Sequence, residues 1–249
     1  MINIKAIFIK QLTSLIKSPS MIVQGILFLV IAVAFMILLP MDEEKECFTC
    51  IPAYVCEACE YIAYNRFELP IPSGIAVFAI IFVGLALVGA SSGQVAEDKS
   101  TTNLRFMAMA DVRPWQYLIG TFSAMLIVMS VMLAFYALAG RYSGIYLLRF
   151  MSIGVFGGAI SILLGIVIGL SRMPLLATPI SLILGLGPTF AAGNEAAANL
   201  LRFTFIQQVN IAFADLDADL TSNFLIVAAN GAVILLVFFI AHRKNRFNV

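Results

Sequence analysis

The chain has 249 residues, 61% of them hydrophobic and 12% charged, with a mean hydropathy of +1.00 and a formal net charge of +1. A soluble domain is roughly 45–50% apolar and about 25% charged, so 15 basic and 14 acidic side chains cannot cover the surplus apolar surface, which must face lipid. The near-zero charge excludes a basic field for nucleic acid, the single histidine (His242) excludes a multi-histidine metal centre, and the lack of any Gly-Lys pair excludes the G-x-x-x-x-G-K-[ST] phosphate cradle.

Crossing about 30 Å of hydrocarbon at ~1.5 Å per residue takes ~20 apolar residues. Six such runs are predicted, at Ser20 to Leu39, Pro72 to Gln94, Pro114 to Ala139, Tyr146 to Leu170, Pro174 to Ala192 and Ser222 to Ala241. Pro19, Pro72, Pro114 and Pro174 fall at or near helix starts, where a missing N–H costs little. The fold class expected is an all-α polytopic membrane protein, one membrane domain over residues 1–249 without a soluble appendage.

Before the first span, Ile4, Ile7, Phe8, Leu12 and Leu15 form one helical stripe opposite Asn3, Lys10, Ser14 and Lys17. Residues 1–18 are predicted to form a helix in the membrane interface. The plainer reading is a basic flank that orients the first span. That span is full length, with no small-x-small cleavage site after Leu39, so an uncleaved anchor is expected.

The loop over residues 41–71 is acidic (Asp42, Glu43, Glu44, Glu46, Glu57, Glu60, Glu68) and carries all four cysteines as Cys47-x2-Cys50-x5-Cys56-x2-Cys59. Zinc sites built from two C-x2-C units usually separate them by ~15–20 residues. An external loop favours disulfides, and the nested pairs Cys47–Cys59 and Cys50–Cys56 would staple a short hairpin. Metal ligation and free thiols stay open beside them.

Within the second span, Gly89-Ala90-Ser91-Ser92-Gly93 fits the G-x-S-x-G nucleophile elbow. The elbow needs a preceding strand and a nearby histidine base. Here the motif ends a membrane helix, where small residues ordinarily permit close packing. The next segment, residues 97–113, mixes an apolar face (Leu104, Met107, Ala108) with Glu97, Asp98, Lys99, Arg105 and Arg113. Either that face meets a partner or it rests on the membrane.

In the fourth span Gly154, Gly158, Gly165 and Gly169, with Ser161 between, let another helix backbone approach, in this chain or in a partner. Arg149 near that span's end is expected to snorkel to the interface. Gly185-Leu186-Gly187-Pro188 is a predicted break in the fifth span. Residues 193–221 are too apolar for a free loop, so short helices dipping back into the outer membrane face are expected. Asp215-x-Asp217-x-Asp219 starts like a calcium loop, but Leu220 and Ile226 replace its turning glycine and closing glutamate, which leaves a solvated acidic turn.

With the amino terminus inside, the cytoplasmic segments hold Lys5, Lys10, Lys17, Lys99, Arg105, Arg113, Arg172, Arg243, Lys244 and Arg246, ten of the 15 basic residues, against three of the 14 acids, Glu97, Asp98 and Asp111. Both termini are therefore expected to be cytoplasmic, in the cell membrane.

The segment Glu97 to Pro114 resembles the cytoplasmic segment of type-2 permeases of ATP-binding-cassette (ABC) exporters. In that family an acidic residue ends the second span, and a short amphipathic coupling helix, a Pro-Val-Ser-Arg-like turn and a Gly-Lys follow. Asp111-Val112-Arg113-Pro114 stands at the turn and Gly120-Thr121 at the Gly-Lys, while the usual Gly-Thr-Leu-Glu is represented by Thr102-Asn103-Leu104-Arg105. The interfacial (elbow) helix, six spans and re-entrant helices before the last span are similar over essentially the whole chain. Exporters of bacteriocins and amphipathic toxins, such as phenol-soluble modulins, are the branch it resembles most. The resemblance implies ATP-driven export of such peptides by alternating access. It implies a separate cytoplasmic ATPase that binds ATP and Mg, a second permease copy or paralogue, and no cofactor or metal on this chain. Glu97, Asp98, Leu104, Arg105, Phe106, Met107 and Arg113 would be the ATPase-docking residues. A gradient-driven secondary transporter and an intramembrane serine hydrolase using Ser91 are the alternatives from other classes, and no catalytic residue is expected under the first two readings.

Overall fold

The computed structural model describes residues 2–17, 20–38, 71–101, 103–104, 109, 112–171, 174–191, 195–214 and 221–243. The described residues are helical, with no strand among them. The helices are α1 (Ile2–Lys17), α2 (Ser20–Leu38), α3 (Ile71–Ile81), a π-helical turn at Phe82–Ala86, α4 (Leu87–Ser100), α5 (Pro114–Ala139), α6 (Gly144–Leu170), a 3-10 turn (Pro174–Leu176), α7 (Ala177–Ala191), α8 (Glu195–Leu201), α9 (Phe205–Ala214) and α10 (Thr221–Arg243).

Among the described residues four helices are long and apolar enough to cross a membrane: Ile75–Ser100, Pro114–Ala139, Gly144–Leu170 and Thr221–Ile240. The count becomes five if the helices at Ile4–Ile16 and Met21–Ala34, bent by 49° from one another, are taken as one span. The α7 segment expected to be a span has 15 residues, which at 1.5 Å each rise about 22 Å, short of a ~30 Å hydrocarbon core. The second long helix runs six residues past its expected end at Gln94, as far as Ser100, so Glu97 and Asp98 belong to its last turns.

The α1 stripe faces the protein. Ile7 and Leu15 are buried, and a methyl on Gly120 would lie 2.6 Å from Ile7 Cγ2, so α1 rests directly on the start of α5. Ile9 (51% exposed) and Ile16 (64%) lie on its outer side.

In lipid no hydrophobic force drives helices together, and close backbone approach takes its place. The α6 glycines are consumed in this way within the chain. A methyl at Gly165 would overlap Ser91 Oγ, one at Gly169 would stand 2.8 Å from Val95 Cβ, one at Gly158 would overlap Met129 Sδ, and one at Gly154 would press on Leu133. Their partners lie on α4 and α5, so the stripe builds the core of this chain.

The π turn gives the second long helix one residue more than α-helical spacing, with Leu87 N–H reaching the Phe82 carbonyl. It faces α7. Pro188 has no N–H to offer the Leu184 carbonyl, and that carbonyl lies against Gly84, where a methyl would come within 2.7 Å of it. Helix α7 continues through Pro188, so the break expected at 185–188 is absent and the packing against the π turn takes up the irregularity. On the opposite side of the π turn Phe82 stacks on Tyr136 (5.7 Å between centroids), whose hydroxyl donates to the Gly25 carbonyl at 3.0 Å.

Two short helices, α8 and α9, occupy the segment before α10. Helix α9 is buried among α3, α6, α7 and α10 through Phe205, Ile206, Val209 and Phe213. Val209 fills the space over Gly157, and Phe213 stacks on Phe150 at 4.6 Å.

Candidate functional site

The densest polar cluster lies where α4 ends. Asp98 is 2% exposed. Its Oδ1 accepts from Lys10 Nζ (2.8 Å) and Asn103 Nδ2 (3.3 Å), and its Oδ2 accepts from Gln11 Nε2 (2.6 Å) and the Tyr117 hydroxyl (2.9 Å). One carboxylate thereby ties together α1, the end of α4, the start of α5 and the residues leading out of α4. Burying a charge is tolerated only with such compensation. The Lys10 side chain remains 41% exposed and keeps its own hydration. A second tie, Gln94 Nε2 donating to Ser14 Oγ at 3.1 Å, joins α4 to α1 one turn earlier.

Lys99 faces away from Asp98 and caps α6. Its ammonium donates to the Leu170 carbonyl (2.9 Å) and the Ser171 carbonyl (2.8 Å), where the helix dipole favours a cation. The end of α4 is closed by its own side chains, Ser100 and Thr101 both donating to the Glu97 carbonyl. At the far side of the segment Pro114 opens α5, and Arg113 N–H donates to Gln116 Oε1 at 2.9 Å, half of a capping box.

Two residues assigned by sequence to the docking face are turned into the chain. Asp98 is saturated by four internal donors, and Leu104 is 1% exposed. Both hold the segment in place, because a carboxylate beside Lys10 and Gln11 and a leucine beside an apolar bundle gain more inside than at the surface. Glu97 and Arg113 are exposed, as is Met109 (67%), which the sequence reading had not selected. Arg105, Phe106 and Met107 lie outside the described residues, as do Cys47, Cys50, Cys56 and Cys59 and the acids Asp215, Asp217 and Asp219.

Ser91 does not have an elbow's geometry. It sits in continuous helix, is fully buried, and donates to the Leu87 carbonyl at 2.6 Å while packing against Gly165. A nucleophile must reach substrate, and this hydroxyl is enclosed between two helices. Among the described residues no three His, Cys, Asp or Glu side chains converge as a metal site.

Sequence reasoning placed Asp98 near the right elements but missed Gln11, Tyr117, Asn103 and Ser14 as its companions. A glutamine on the apolar stripe of α1 was the available signal, since a polar residue on a buried face implies a partner.

The fold defines an all-helical membrane protein whose one described ion pair joins its first helix to the end of a long apolar one. Compared with known proteins, the chain matches no family model, no curated protein and no solved structure.

Proposed function

We propose that this chain is the membrane-spanning subunit of an ATP-driven exporter of the type-2 ABC permease kind, moving amphipathic peptides across the cell membrane by alternating access. In this reading α2, and α7 together with the 3-10 turn that precedes it, complete a six-span bundle with both termini cytoplasmic. Two permease chains enclose the pathway, and ATP and Mg bind on a separate cytoplasmic ATPase. The segment after α4 docks on the ATPase through Glu97, Arg105, Phe106, Met107, Met109 and Arg113, with Asp98 and Leu104 holding it from inside.

The observation that carries this reading is the convergence on Asp98. A push on residues 101–113 reaches α1 through Lys10 and Gln11, α5 through Tyr117, and α4 directly. A docking loop must pass a partner's motion to several spans at once, and rigid links to packed helices do so. An isolated inner loop would need no such joint. Ser91 is buried, which gives hydrolysis no geometric support, and α7 runs through Pro188 without the break that a secondary transporter would use there.

The test is affinity co-purification of the tagged chain with cytoplasmic ATP-binding-cassette ATPases of the same cell, followed by ATPase assay with amphipathic peptides. Stable association and peptide-stimulated hydrolysis are expected. Transport in ATP-free vesicles driven by an ion gradient alone overturns the proposal.

A further inference from the structure

The turn between α8 and α9 carries an arginine to mid-span depth. Asn230 lies at the middle of the candidate span Thr221–Ile240, and its Nδ2 donates both to the Phe203 carbonyl (3.0 Å) and to the Ile226 carbonyl (2.8 Å). Val209, one turn into α9, packs on Gly157, the middle of α6. Gln208 Nε2 donates to the Arg202 carbonyl. The backbone of residues 202–204 is thus stitched by two side-chain amides at a depth where lipid offers no hydrogen bonds, which is how irregular backbone survives there. The α9 amino terminus is closed by Thr204, whose hydroxyl accepts from Gln207 N–H at 3.4 Å.

The Arg202 side chain is not stitched. It is exposed, between Leu200 (81% exposed) and Phe203 (70%), and forms no ion pair with a described residue. The side chain ends in a guanidinium. Placed beside hydrocarbon it requires water or an anion, and an ionisable residue at this depth marks a ligand or ion pathway more often than a scaffold. Its planar fork matches two oxygens of a carboxylate or phosphate.

We propose that Arg202 is a mid-membrane binding site for the anionic group, carboxylate or phosphate, of an amphiphile whose apolar part lies over Leu200 and Phe203. The site rests on the depth of the turn and the exposure of its three residues. It needs no ATPase, so it stands or falls separately from the export reading.

The experiment uses the full chain in dodecyl maltoside, with laurate, dodecyl phosphate and uncharged dodecanol as probes, and reads bound molecules by native mass spectrometry and affinity by calorimetry. Both anions are expected to bind about tenfold or more tightly than dodecanol. Arg202→Gln abolishes that preference, and Arg202→Lys keeps part of it. Tighter binding of dodecyl phosphate assigns the site to a lipid-type headgroup, and tighter laurate binding to a peptide or fatty-acid carboxylate. Equal affinity for dodecanol, or an anion preference that survives Arg202→Gln, overturns the proposal. So does dissociation of an oligomer by Arg202→Gln with no anion bound to wild type, which would make the guanidinium's partner a protein carboxylate. If Arg202→Gln does not fold, phenylglyoxal modification of wild-type Arg202, located by mass spectrometry, replaces it. Laurate must protect Arg202 and dodecanol must not; unprotected labelling refutes the site.

Discussion

Asp98 has two oxygens and four donors, two to each oxygen, which uses the acceptor capacity of an ionised carboxylate in full. Removing it leaves Gln11 and Tyr117 donors buried without an acceptor, whereas removing Lys10 leaves three neutral donors still satisfied. Asp98→Ala is therefore expected to cost about 3 kcal/mol of folding stability and Lys10→Ala less than about 1 kcal/mol, since the lysine is part-exposed and screened, as measured by denaturant titration in detergent. Tyr142, in the turn between α5 and α6, stacks on Phe150 at 4.8 Å, and burial raises its hydroxyl from 10.0 to about 12. Because the folded state holds the neutral phenol more strongly, its contribution is complete below pH 10 and disappears as pH rises towards 12. Wild type should lose stability over that interval more steeply than Tyr142→Phe, read as the pH dependence of the melting temperature.

Between helices, glycines separate into two groups that sequence spacing cannot distinguish. Gly165 sits where a methyl would overlap Ser91 and approach the Val88 carbonyl at 2.6 Å, while Gly89 and Gly93, also four residues apart, have nothing within 4 Å. Gly165→Ala should destabilise the bundle by about 1–3 kcal/mol or more. Gly89→Ala and Gly93→Ala should be neutral or stabilising by up to about 1 kcal/mol through helix propensity, seen in the same denaturant titration. If Gly165→Ala is neutral, α4 and α6 are not in backbone contact. The π turn belongs to this scale as well. Gly84 and Gly185 allow the second long helix and α7 to cross at backbone distance, and the residue inserted at Phe82–Ala86 keeps Phe82 towards Tyr136 while Gly84 faces Leu184.

For the molecule as a whole, the Asp98 joint makes α1 and the first turns of α5 one unit with the segment that follows α4. Under the proposed docking, Met109→Asp together with Arg113→Glu should lower ATPase co-purification about tenfold without changing the unfolding midpoint, because both side chains are exposed. Asp98→Ala should lower the midpoint and weaken transport more than docking. The sequence by itself determined the lipid setting, the all-helical class and most helix limits, because burying apolar surface and satisfying every backbone hydrogen bond in hydrocarbon leave helices as the answer for ~20-residue apolar runs. It also marked the glycine stripe of α6 and the acid at the end of α4. Only the tertiary structure decided where those features point. Asp98 and Leu104 turn inward, the α6 glycines meet α4 and α5, Ser91 is enclosed, and the turn that carries Arg202 lies against Asn230 at the middle of α10. The physical reason is that spacing along a helix fixes which residues share a face, whereas the choice of neighbour for that face depends on contacts between residues some 70 to 90 positions apart, as between Gln11 and Asp98 or Lys99 and Leu170.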